Sequence, residues 1–99
     1  MKLRAIAHSR AGDKGRIVNV SVIAFDQADY PRLVQAVTAQ RVKEHFGDIV
    51  VGDVVRYELA SMSALNFVIE RAPRHSVTRT LALDAHGKSL SSALLDLEI

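Results

Sequence analysis

The sequence predicts a two-layer α+β sandwich: a mixed sheet with helices on one face. Three observations predict it. Residues 17–25 are a β-branched, apolar run with period-two alternation. Residues 26–47 turn to capping residues, a proline and helical apolar spacing. Alternation then returns at 53–59, and the chain ends on leucines at helical spacing. Strands interleaved with helices give a sheet covered on one side.

Leu3, Ala5 and Ala7 alternate with Lys2, Arg4 and Ile6, so a first strand is expected to end near His8. In the strand at 17–25, Asn19 and Ser21 share one face and Val18, Val20 and Val22 the other. If the two strands are hairpin neighbours, the glycine-bearing stretch between them lies at one end of the sheet. Asp29 is placed to cap a helix, with Pro31 tolerated in its first turn. Tyr30, Leu33, Val34 and Val37 form one stripe, whereas Ala39, Val42 and Phe46 lie nearly opposite. A straight helix would expose one group, so a break is expected at Thr38, whose hydroxyl starts a second helix closed by Gly47.

A strand follows the Gly52-Asp53 turn, with Val55, Tyr57 and Leu59 alternating with Val54, Arg56 and Glu58. If 17–25, the helical pair and this strand make a βαβ crossover, the two strands run parallel. Residues 64–72 fit two periods. As a helix they align Ala64, Leu65, Val68 and Ala72; as a strand, Leu65, Phe67 and Ile69 alternate with Asn66, Val68 and Glu70. Ser61, Ser63 and Pro73 at the flanks tip the expectation to helix. A strand at 77–83, a turn at 84–87 and a final helix at 88–97, with Leu90, Leu94 and Leu97 inward, complete the order.

Ninety-nine residues, 48% of them hydrophobic, make one domain spanning 1–99, with enough apolar content to fold and to associate with itself or a partner. The absence of cysteine excludes disulfides and thiolate chemistry. The N-terminal apolar run is too short for a signal peptide, and no stretch could span a bilayer, so a cytoplasmic protein with no membrane partner is expected. A net charge of only +2, 5% aromatics and no Trp argue against nucleic acid as partner.

Chemistry concentrates in residues 8–19. Gly12 and Gly15, the basic Arg10, Lys14 and Arg16, and Asp13 and His8 crowd into nine positions. Glycines let backbone approach a guest, and exposed N–H groups in such turns hold anions. Lys14 as a point charge and Arg10 as a planar fork suit a phosphate or carboxylate. A solvated hairpin turn with clustered charges is the plainer alternative. Asp13 either orients a cation, serves as a base, or is an ordinary turn former. Asn19 either reaches the same end of the sheet or pairs with a neighbouring strand, and His8 is an acid or base or a half-buried strand end. His86-Gly87-Lys88 reads as a turn before a helix. His8, His45, His75 and His86 include no pair at metal-ligand spacing, so no metal is expected. Adjacent His8 and Ser9 face opposite ways in a strand and make no catalytic pair. Phosphate-loop and dinucleotide fingerprints are missing, and no cofactor is implied.

The string Ala7-His-Ser-Arg-Ala-Gly-Asp-Lys-Gly15 with Asn19, the stretch 41–46, Ala64-Leu-Asn-Phe67 and the ending at 86–99 together resemble the small ferredoxin-fold domain of the acyclic terpene utilisation (AtuA-like) family. The resemblance covers nearly the whole chain, and Arg-x-Gly-Asp-Lys-Gly is its most specific part. In longer members such a domain closes a bigger chain. Arg16 departs from the Asn or Asp more usual there, and Pro73-Arg74-His75 from glycines. The resemblance implies a ferredoxin-like sandwich and a setting in acyclic terpenoid and acyl-CoA breakdown. It suggests an accessory or small enzyme subunit, in a homo-oligomer or a complex with a larger AtuA-like chain. His8, Arg10, Gly12, Asp13, Lys14, Gly15 and Asn19 would then hold a small anionic or CoA-linked ligand. The alternative is a non-catalytic oligomerising module for a larger partner chain.

Overall fold

Val18, Val20 and Val22 sit at alternate positions of one strand and are wholly buried, which fixes the covered face of the sheet. Burying each such side chain contributes roughly 1.5–3 kcal/mol relative to exposure. The computed structural model describes residues 1–71 and 88–99, apart from the side chains of Asp13, Lys88 and Ser89. Its elements are β1 (Ala7–Lys14), β2 (Ile17–Ala24), α1 (Tyr30–Ala36), α2 (Ala39–Phe46), β3 (Val55–Leu59), β4 (Ala64–Glu70) and α3 (Lys88–Leu94). The strand order is β1-β2-β4-β3, and each described neighbour pair is antiparallel. This corrects the expected mixed sheet in one respect. β2 and β3 do run parallel, as a crossover requires, but β4 is inserted between them and pairs antiparallel with both. The arrangement is the split βαβ of ferredoxin-like α+β folds.

The helices close one face. Leu33 and Val37 from the first helical segment, Val42 and Phe46 from α2, and Leu90 and Leu94 from α3 join the valines of β2 in a single core. The break at Thr38 is where expected: its Oγ1 accepts from the Arg41 N–H at 3.1 Å, and Gly47 ends α2 at φ 57°. Leu90, Leu94 and Leu97 are buried as anticipated, with the helix itself ending at Leu94.

Three expectations are corrected. The N-terminal segment is not a strand: Leu3–Ala5 is a 3-10 turn that buries Leu3 and ties its backbone to Leu97 and Leu95 at the other end of the chain. The first strand instead begins at Ala7 and runs through the expected loop to Lys14. Residues 64–70 are a strand, because β4 is central and takes partners on both edges, where Leu65, Phe67 and Ile69 reach the core together. Ser63 is no helix cap but the αL residue (φ 52°) that turns the chain into β4. Asp29 also makes no side-chain cap; Asp26 does that work one turn earlier, accepting from the Ala28 N–H at 2.9 Å. The strand expected at 77–83, the turn at 84–87, Pro73, His75 and His86 lie outside the described residues.

Candidate functional site on the open sheet face

The stretch expected to be a loop is a β-hairpin whose turn is only Gly15-Arg16. Gly15 takes φ 68° at the first central position, as a two-residue turn of type II′ demands, and space is not the reason for glycine there. The turn is fastened to β4: the Arg71 N–H donates to the Arg16 carbonyl at 2.6 Å, and the Arg16 guanidinium lies 3.6 Å from Glu70. The expected cradle of consecutive N–H groups is therefore replaced by extended backbone. In a strand, successive N–H groups point to opposite sides, so any anion here must be held by side chains.

The ladder sets those side chains out as a grid on the face opposite the buried valines. One row runs His8–Ile23–Ala64–Leu59 across the four strands. The next is Arg10–Ser21–Asn66–Tyr57, then Gly12–Asn19–Val68–Val55, then Lys14–Ile17–Glu70. Neighbouring strands are about 4.8 Å apart, and Arg10 and Lys14 are about 13 Å apart along β1. Gly12 lies midway between them. A Cβ built on Gly12 would meet nothing within 4 Å, so the space over it is open.

Both flanking cations are exposed, and neither has an ion pair among the described residues. Asn19, across from Gly12, accepts from the Asn66 Nδ2 at 3.4 Å through its Oδ1, which leaves its own amide N–H groups unengaged among the described residues. Asn19 thus pairs with the neighbouring strand and stands beside the open space over Gly12. Ser21 spends its hydroxyl proton on the Arg10 carbonyl at 3.4 Å. The site residues divide accordingly. Arg10, Gly12, Lys14 and Asn19 come together; Gly15 shapes the turn; Asp13 pairs with Val18 in register, one position out of step with the cations. His8 is exposed two positions from Arg10 and stacks on Phe25, with ring centroids 5.5 Å apart.

Sequence reasoning missed Ser21, Asn66 and Tyr57, which share the Arg10 row. Only strand register reveals them. His45 bonds through Nε2 to the Ala93 carbonyl at 2.6 Å and serves as a tie between α2 and the α3 helix. Among the described residues no three His, Asp or Glu side chains gather to hold a metal, and no helix is long and apolar enough to cross a membrane.

The split βαβ sheet with helices on one face also has a sequence counterpart. The family model for the AtuA ferredoxin-like domain matches residues 1–99, the whole chain. The chain belongs to this family. Comparison with curated proteins and with solved structures finds no match. In this AtuA ferredoxin-like domain, then, the Arg-x-Gly-x-Lys spacing is not a loop motif. It is one side of a strand, and its glycine is the gap between two cations.

Proposed function

We propose that this AtuA ferredoxin-like domain is an accessory or small subunit of an AtuA-like enzyme system in acyclic terpenoid and acyl-CoA catabolism, and that it binds an anionic group on β1. One observation carries the binding part: Arg10 and Lys14, free of carboxylate partners among the described residues, flank the open space over Gly12 on one face. A phosphate or carboxylate seated there meets a planar fork, a point charge and the Asn19 amide. The subunit role is supported by a family match spanning the entire chain and by the likeness to the domain that closes longer AtuA-like chains.

Thermal unfolding with coenzyme A, inorganic phosphate and short carboxylates tests the binding. A ligand that binds only the folded state raises the midpoint. The rise should vanish in Arg10→Ala and Lys14→Ala, and no rise with any anion would remove the site. Co-purification with a larger AtuA-like chain tests the subunit role separately. A second reading, a non-catalytic oligomerising module, is favoured by the exposed apolar file of Val55, Tyr57 and Leu59 on β3; it predicts assembly without any anion response.

A further inference from the structure

Among the described strands, the two outer ones differ in character. β1 carries Gly12 and the cations Arg10 and Lys14, features that blunt an edge against pairing. Among the described residues β3, Val55-Arg-Tyr-Glu-Leu59, pairs on one side only, with β4. It has no Pro, Gly or Lys. Val55, Tyr57 and Leu59 are 45%, 53% and 38% exposed, a file of large apolar side chains on an edge that natural sheets usually protect.

Its five residues are also antisymmetric about Tyr57: apolar, basic, aromatic, acidic, apolar. An antiparallel pairing of β3 with its own copy, centred on Tyr57, sets Val55 against Leu59 and Arg56 against Glu58, each twice by symmetry, and Tyr57 against Tyr57 once, on the axis. Opposite charges and apolar or aromatic pairs directly across strands are the combinations that stabilise a sheet. Arg56 is already positioned for this. Its Nη1 donates to the carbonyls of Val34 and Val37 at 2.7 and 2.9 Å, and its Nη2 lies 3.1 Å from the Glu58 carboxylate of its own strand. A guanidinium has five N–H donors, so donors remain for a second carboxylate.

We infer that two copies of this chain join edge to edge through β3 about a twofold axis at Tyr57, so that one continuous sheet runs through both copies. The contact is isologous, as closed dimers require. It rests neither on the anion site, which lies at the opposite edge, nor on a larger partner chain.

The native protein lacks cysteine, so cross-linking reads the register directly. Opposed residues in an antiparallel pair have Cα atoms about 4.5–5.5 Å apart, within disulfide reach. Tyr57→Cys should form a covalent dimer on mild oxidation. Val55→Cys alone should not, whereas a mixture of Val55→Cys and Leu59→Cys chains should cross-link. Sedimentation should find the unmodified protein dimeric at micromolar concentration. Glu58→Lys, which sets like charges opposite one another twice, should weaken association about tenfold or more with the fold intact. A monomer in sedimentation, or Val55→Cys cross-linking as fast as Tyr57→Cys, overturns the inference.

Discussion

Gly12 stands directly across the β1–β2 ladder from Asn19, and nothing lies within 4 Å of where its side chain would begin. Its φ is not positive, unlike those of Gly15, Gly47 and Gly52, so backbone conformation does not demand glycine. A residue with a side chain should therefore fit. Glycine inside a strand costs roughly 0.5–1 kcal/mol relative to alanine, so Gly12→Val should raise the unfolding midpoint. It should also fill the gap between Arg10 and Lys14 and weaken phosphate binding several-fold in calorimetric titration. Gly15→Ala should do the reverse, losing about 1 kcal/mol or more because of its φ of 68°. Unchanged phosphate affinity in Gly12→Val would place any anion elsewhere.

Ser9 faces Val22 across the same ladder, and its Oγ is buried with no hydrogen-bond partner among the described residues. An unmatched buried hydroxyl costs about 1–3 kcal/mol. Ser9→Ala should leave the protein as stable or more stable, by up to about 1 kcal/mol, with no effect on anion binding. A clear loss of stability in denaturant titration would show that the hydroxyl is engaged after all.

Arg56 ends α1. That helix has only seven residues, too few to persist unaided, and the carbonyls of Val34, in its last turn, and Val37, just past its end, both accept from this one guanidinium. Charged hydrogen bonds contribute about 1.5–3 kcal/mol each, and a cation at a helix C-terminus adds to that. Arg56→Met should lower stability by about 2–3 kcal/mol, measured by urea unfolding. A cost near zero would mean the helix is held by Leu33 and Val37 alone.

Much of this fold was legible in the sequence, and its failures share a cause. β2 and the helix break at Thr38 were readable because their signals are local: β-branched alternation in one, a stripe that changes phase in the other. β1 was cut short because Gly12, Asp13 and Gly15 are poor strand formers, yet an outer strand in a tight hairpin is held by its partner's register rather than by propensity. Residues 64–70 satisfied both periods equally, and pairing on two edges decided between them. The same holds for the site. Arg10, Lys14 and Asn19 stood out as charges and amides near glycines, but Ser21, Asn66 and Tyr57 share the Arg10 row only through contacts distant in sequence.

The chain ends are clasped. The Met1 ammonium pairs with Glu98 at 3.0 Å, Arg4 hydrogen-bonds Asp96, and Lys2 lies 3.7 Å from the same carboxylate. The Arg4 hydrogen bond, opposed by desolvation and aided by the charges of Arg4, Lys2 and His45, holds the Asp96 carboxyl below its usual range. A carboxyl with a depressed folded value contributes stability that is complete above its unfolded value and disappears as pH falls through the folded one. Asp96→Asn should thus lower the melting midpoint slightly at neutral pH. The gap from the native protein should close as pH drops below the ordinary carboxylate range. A gap that widens in acid would reverse this sign.

That clasp also explains how the chain closes its fold. Ile99 donates its N–H to the Met1 carbonyl at 2.9 Å, and Lys2 bridges to Glu98 as an isolated β-pair. Followed through this contact, α3 leads into β1, so among the described elements β4, α3 and β1 form a second β-α-β unit interleaved with the one made by β2, the helical pair and β3. Two such units in series are the ferredoxin-like order β-α-β-β-α-β. Among the described elements, that order is read starting from β2, with residues 1 and 99 meeting between α3 and β1 and the Gly15-Arg16 turn joining β1 to β2. Joining Ile99 to Met1 through a short glycine linker and opening the chain between Gly15 and Arg16 should restore the uninterrupted order. Adjacent termini and exposed turns are where such rearrangements are tolerated. The permuted protein should unfold cooperatively, with a midpoint only a few degrees lower and the anion response of Arg10 and Lys14 retained. Collapse of the fold on opening that turn would mean that the β1–β2 hairpin must form first, and that the covalent turn, rather than the clasp of the termini, holds β1 at the edge of the sheet.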